Sequence, residues 1–202
     1  SAAPAERVEA CLEAGASILG HCWNNNSGAL IEPGVQQPTL EQVALTDERL
    51  EWIHLICDGT HVHPVNIRLV QRCRGLQSIC LVTDAVALAG APDGTFRAND
   101  GREGWTKKAG VGRAAEGDLC GSGLLLPDHW RNLVKFTGEP AWKALQTVTY
   151  NPAASLGLAG EMGLLAPGRK ADLAVWDERL RLTRVFKEGR EMTVHDFAEV
   201  VL

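Results

Sequence analysis

The chain of 202 residues is 45% hydrophobic and 22% charged, with a formal net charge of −5, the balance of an ordinary globular domain. That charge leaves no electrostatic footprint for nucleic acid or an anionic membrane, and no run of about 18 apolar residues marks a membrane span. No basic-then-apolar leader is read at the start, and the six cysteines form no CxxC pair, so free thiols in a reducing cytoplasm are expected.

The opening SAAPAERVEACLEAG predicts a helix. Pro4 suits its first turn, Val8, Cys11 and Leu12 fall on one face, and Gly15 supplies a stop. A short apolar run follows, ASILGHCW, and then the polar NNNSGALIEPGVQQP, which reads as an extended loop. Residues 39–51 are ambiguous: Thr39 to Gln42 has the spacing of a capping box, but the apolar periodicity is short. A second buried run, WIHLICDG, precedes HPVNIRLVQRCRG, where Val65, Leu69 and Cys73 recur at helical spacing and Gly75 ends the segment. The third run is SICLVTDA. Strands alternating with helices in this order predict an α/β fold with parallel strands.

Beyond Gly90 the texture changes. Residues 92–118 are rich in glycine and charge and are expected to form a hairpin excursion. Helices are predicted over about 124–137 and 140–154, the second ending in NPAASLGL. The tail from Met162 to Met192 alternates apolar and polar residues between turns, the pattern of a small antiparallel unit.

Each short strand ends in polar side chains: His21 and Asn24, then Asp58 and His61, then Asp84. In parallel α/β proteins ligands gather at the carboxyl ends of strands, so this set is the one expected of a metal- or carboxylate-assisted hydrolase. Each residue alone has a plainer explanation. A single histidine after a strand is most often a surface hydrogen-bonding group, Asp58-Gly59 is a turn signal, and Asp84 is able to cap a helix starting near Ala85. His54, His129 and His195 are read as structural. His63 and His61 would face the same way if extended, but Pro64 with a helix beyond points to a turn.

The ordered series GHCWNN, ICDGTHVHPVNIR, LVTDAVALAG, LCGSGL, NPAASLGL and GLLAPGRKADLAVWD resembles the N-acetylglucosamine-6-phosphate deacetylases, which are metal-dependent amidohydrolases. The resemblance implies the carboxy-terminal part of a (β/α)8 TIM barrel over residues 1–158, with residues 159–202 joining a small β-sandwich. It implies a divalent metal, zinc or iron, bound by His21, and a general base and acid at Asp84. Substrate contacts are implied for Asn24, Asn25, Asp58, Gly59, His61, Leu119, Cys120, Gly121 and Ser122. The implied reaction is hydrolysis of an N-acetyl amino sugar, foremost N-acetylglucosamine 6-phosphate, by a cytoplasmic homodimer with no nucleic-acid or membrane partner.

Two departures bear on these expectations. The resemblance places further metal ligands, a His and a Glu, upstream of Ser1, which implies that this chain alone is a poor catalyst. It also places an Arg where Ile31 precedes Glu32-Pro33-Gly34, so a substrate phosphate lacks a bidentate guanidinium partner. The alternatives are another amidohydrolase, acting on a cyclic amide or N-acyl amino acid, and a non-catalytic module.

Overall fold

Val8 and Leu12, one helical turn apart, turn one face of α1 (Ala5–Glu13) into the core. Gly15, at φ 91°, reverses the chain into β1 (Ile18–Leu19), a turn that favours a residue without Cβ. In this computed structural model the described residues are 5–24, 31–32, 35–36, 38–86, 89–97, 103–108, 110–114 and 117–193. Next, β2 (Ile31–Glu32) and β3 (Val35–Gln36) pair antiparallel. The ambiguous stretch resolves into α2 (Leu40–Thr46): Thr39 Oγ1 accepts from Gln42 N and Gln42 Oε1 accepts from Thr39 N, both halves of a capping box.

The buried runs become β4 (Trp52–Ile56) and, after α3 (Pro64–Arg74), β5 (Ile79–Val82). Both pairings in the sheet β1-β4-β5 are parallel, with Leu19 beside Ile53 and Ile56 beside Val82. Past the short β1 the chain keeps to β4, because Cys22 N donates to His54 O at 2.8 Å. The helix α3 is where predicted, but its faces are not. Val65, Leu69 and Cys73 point to solvent, while Ile67 and Val70 are buried. Two apolar stripes compete on this helix, and only packing selects between them.

The glycine-rich excursion is a four-stranded antiparallel sheet rather than one hairpin. It comprises β6 (Gly94–Arg97), β7 (Glu103–Lys108), β8 (Val111–Arg113) and β9 (Leu119–Ser122). The LCGS segment is thus a strand. After it come α4 (Leu126–Thr137), α5 (Ala141–Ala144) and α6 (Tyr150–Ser155), the last two separated by a 3-10 turn over Leu145–Val148. The predicted second helix is therefore broken. The tail forms β10 (Leu173–Trp176), β11 (Leu182–Lys187) and β12 (Arg190–Glu191), paired antiparallel as its alternation predicts.

The core lies between the parallel sheet and helices α3 and α4. Ile53, Leu55, Ile56, Ile67, Val70, Ile79 and Leu133 are fully buried there. Arg74 joins α3 to the end of α2 and the turn before β4 by donating to the carbonyls of Ala44, Asp47 and Leu50 at 2.7–2.8 Å. Trp176 of the tail meets Trp130 edge-on at 5.2 Å, an arrangement aromatic quadrupoles favour. All six cysteines are free, as expected. Among the described residues, no helix is long and apolar enough to cross a membrane.

Candidate active site

The turn after β4 is organised by one carboxylate. Asp58 Oδ1 accepts from the amides of Thr60 and His61, and Oδ2 accepts from His61 Nδ1 at 2.6 Å. Both side chains are only 3% exposed. Burial pushes the Asp58 carboxyl up, but the bonds from His61 and Thr60 outweigh it and hold the group at about 2. The bond to Asp58 raises His61 above its usual value against the opposing effect of burial, and Asp84 adds to the rise. With Nδ1 committed to Asp58, the ring presents Nε2, which is buried and has no hydrogen-bond partner among the described residues.

The same pair sets a pH signature. Asp58 is lower in the folded state than the ordinary unfolded value near 3.9, so its stabilisation holds above that value and fades as pH falls towards 2. His61 is raised, so its share holds below about pH 6.5 and is lost as pH rises through its folded value. Asp58→Asn is therefore expected to cost roughly 2 kcal/mol near pH 5–6, with the difference from wild type shrinking in acid and in base. Urea midpoints across pH 2–9 check this. A pH-independent difference would remove the ion pair as its source.

The other two strand ends meet through Asn24. His21 Nδ1 donates to Asn24 O at 3.1 Å, and Asn24 Nδ2 donates to Asp84 Oδ2 at 3.3 Å. The backbone is strained at these positions: His21, Trp23 and Asp84 have φ of 29°, 62° and 48°, a region that L-residues rarely occupy and that clusters at functional sites. Burial lowers His54, with a smaller contribution from His21, and Asp84 adds to the rise at His61, so each strand end lies within electrostatic reach of its neighbour. Among the described residues, Asp84 caps no helix. Instead Ala85 forms a bridge with Ser122.

Strand β9 lies directly against the Asp84 backbone. Ser122 N donates to Asp84 O at 2.9 Å, and Val86 N donates to Ser122 O at 3.3 Å. A Cβ on Gly121, at φ 55°, would stand 2.3 Å from Asp84 O and 2.9 Å from Val86 Cγ1. Gly121→Ala should therefore displace the Asp84 turn and destabilise the chain by more than about 1 kcal/mol, read as a denaturant midpoint. An unchanged midpoint would mean that the turn yields freely. Gly59 is similarly confined, since its Cβ would meet the Phe136 ring at 2.9 Å.

Of the residues singled out from sequence, His21, Asn24, Asp58, His61 and Asp84 share this region, with Gly121 and Ser122 beneath Asp84. Leu119 is 41% exposed and Cys120 is half-buried on the same strand. Asn25 and His195 lie outside the described residues. His63 caps α3, its Nδ1 accepting from Val65 N. Sequence reasoning missed what α4 contributes. His129 and Asn132, one turn apart, bind the amide and the carbonyl of Cys57 beside Asp58. Their spacing was the available signal, but it names no partner.

A metal fits these residues only in part. His21 donates Nδ1–H to a carbonyl, which leaves Nε2 as the lone-pair donor that a metal takes. Among the described residues, no group of three or more His, Cys, Asp or Glu side chains comes together to hold an ion.

Residues 4–197 match the amidohydrolase family. The chain is 35% identical over 190 residues to the N-acetylgalactosamine-6-phosphate deacetylase of Escherichia coli O157:H7, covering 94% of this chain and 48% of that protein. It is also 35% identical to the putative N-acetylgalactosamine-6-phosphate deacetylase of Escherichia coli K12, covering 84% of this chain and 97% of that one. Among solved structures, N-acetyl-D-glucosamine-6-phosphate deacetylase from Mycobacterium smegmatis superposes with a TM-score of 0.80 at 31% identity, over 95% of this chain and 50% of its own. The chain thus spans about half the length of the first and third of these proteins.

Proposed function

The chain belongs to the amidohydrolase family, and we propose that it forms the carboxy-terminal portion of a deacetylase that hydrolyses N-acetyl amino sugars, foremost N-acetylglucosamine 6-phosphate. The 4-epimer belongs to the same proposal, because both Escherichia coli relatives carry N-acetylgalactosamine 6-phosphate in their names. In this reading β1, β4 and β5 are neighbouring rungs of a (β/α)8 barrel within residues 1–158, and residues 159–202 contribute to a small β-sandwich. A cytoplasmic homodimer completes the reading.

The observation that carries it is the buried Asp58–His61 pair, whose Nε2 has no partner among the described residues, beside Asp84, which is held by Asn24. His61, whose protonated form the bond to Asp58 favours, offers Nε2–H to the acetamide oxygen as charge develops there. Asp84 takes a proton from the attacking water and returns it to the nitrogen as the C–N bond breaks, releasing acetate and the amino sugar. Asn24 orients the Asp84 carboxylate and, with Asn25, Gly59 and the edge of β9 from Leu119 to Ser122, contacts the sugar. His21 is the ligand this chain offers a zinc or iron ion. When bound, such an ion supplies Lewis acidity at the carbonyl and a lower pKa for water.

Acetate release is the test. Because this chain alone is expected to be a poor catalyst, it is joined to the upstream half of a homologous deacetylase and supplemented with zinc or ferrous iron. The joined protein is offered N-acetylglucosamine and N-acetylgalactosamine, each with and without a 6-phosphate, beside a panel of cyclic amides and N-acyl amino acids. Release from the sugars alone is expected. Release confined to the other amides would move the site to another amidohydrolase chemistry, and no release from any compound would leave a non-catalytic module. Comparable rates with and without phosphate would follow from the position of Ile31, where no guanidinium is available.

A further inference from the structure

His129 is fully buried in the first half of α4, yet both ring nitrogens are engaged. Nδ1 accepts from the Cys57 amide at 3.0 Å, so the ring proton resides on Nε2, which faces Ser122 Oγ at 3.3 Å. A histidine with this tautomer cannot take a proton from Ser122, which excludes a serine–histidine nucleophile here. Ser122 Oγ accepts a second bond from Leu124 N at 3.2 Å, so the hydroxyl acts as a fixed acceptor. One turn on, Asn132 Nδ2 donates to Cys57 O at 3.0 Å. One face of α4 therefore grips both polar groups of the residue at the end of β4, next to Asp58. Through Ser122 it also reaches the strand whose amide holds Asp84 O.

We propose that His129, as a neutral imidazole protonated on Nε2, is a positioning residue that ties the Asp58–His61 turn to the Ser122 strand and so sets where Asp84 stands. The proposal rests on the deacetylase reading only for what that positioning serves. Burial favours the neutral ring, against Asp58 and Asp128 and together with His61, the charged groups that act on it. Neutrality matters to the geometry. A cation would carry a proton on Nδ1 facing the Cys57 N–H, two donors against each other.

The test uses the full chain, labelled with nitrogen-15. Long-range proton–nitrogen correlation at pH 7 should show His129 neutral with its proton on Nε2; a charged ring, or a proton on Nδ1, would overturn the proposal. Two variants then separate the two contacts. In His129→Asn the amide oxygen sits near the lost Nδ1, so the Cys57 amide should stay protected while the Ser122 and Val86 amides exchange about tenfold faster or more. In His129→Gln the amide nitrogen sits near the lost Nε2, and the pattern should reverse. A merely structural role would speed all these amides together with those of Ile53 and Leu55, and that outcome would count against positioning. In the acetate assay, His129→Asn should lower kcat by about tenfold with KM within about threefold. Should wild type release no acetate while the split exchange pattern is found, the deacetylase reading fails and the positioning stands. Should turnover proceed without the split pattern, the positioning alone fails.

Discussion

Asp84→Asn is expected to lower acetate release from N-acetyl amino sugars by about 10²–10⁴-fold, the usual contribution of a placed general acid–base group. The substitution suits the question because it changes little else. The new side chain keeps a carbonyl oxygen able to accept from Asn24 Nδ2, the contact now made by Asp84 Oδ2 at 3.3 Å. The backbone carbonyl that accepts from Ser122 N is also retained, and asparagine tolerates the left-handed φ of 48° at least as well as aspartate does. The amide simply cannot take a proton from water near neutral pH. Steady-state rates on the metal-supplemented protein joined to a homologous upstream half, with a denaturation curve to show that the fold is intact, decide the matter. A folded Asp84→Asn chain working within about tenfold of wild type would transfer the proton-handling role to another group.

The largest effect on stability is expected at Asn151, at the start of the NPAASLGL segment. Its side chain is 1% exposed, and Nδ2 donates to both Leu76 O and Ile79 O at 2.7 Å. These carbonyls lie where the chain enters β5, the strand that leads to Asp84. Asn151→Ala leaves two buried acceptors without partners, at about 1–3 kcal/mol each, so a loss of roughly 2–5 kcal/mol is expected. Asn151→Asp should be worse, since it turns a carboxylate towards two carbonyl oxygens. Urea midpoints of the three chains test the order. An alanine variant within about 1 kcal/mol of wild type would mean that water or a shifted side chain satisfies both carbonyls.

The kinetic and the stability predictions are linked through β5. Asn151 anchors its entry, the apolar residues Ile79, Cys80 and Leu81 bury its length, and Asp84 leaves its far end in a conformation that pairing alone does not favour. The strain at His21, Trp23 and Asp84 is held in place by the hydrogen bonds around them, most directly by Ser122 and Asn24. For this reason a change at Gly121 or His129, neither of which offers a proton-transfer group to the substrate, is expected to register at Asp84.

Legibility in the sequence followed the range of the forces involved. The turn at His63 before Pro64, the stop at Gly15 and the alternation of the tail were readable, because each is settled within a few residues. The spacing of Thr39 and Gln42 was visible too, although the short periodicity after it left the helix ambiguous. The break between α5 and α6 was not readable, nor was the strand identity of LCGS. The first falls just before Asn151, whose side chain bonds a turn far away in sequence, and the second is made by pairing with β8. The stripe of Val65, Leu69 and Cys73 misled for a related reason. An apolar periodicity identifies a helix, but the sheet chooses which stripe it buries, and here it took Ile67 and Val70.

By itself, then, the sequence determined the α/β alternation, the short buried strands and the polar residues at their ends, since period, burial preference and turn chemistry are local properties of the chain. Only the tertiary structure decided that Asp58 and His61 form a closed pair, that Asn24 reaches Asp84 across 60 positions of chain, and that His129 belongs with them. Hydrogen-bond geometry between segments far apart in sequence arises when the sheet brings their ends together, and residue order alone carries no measure of that distance.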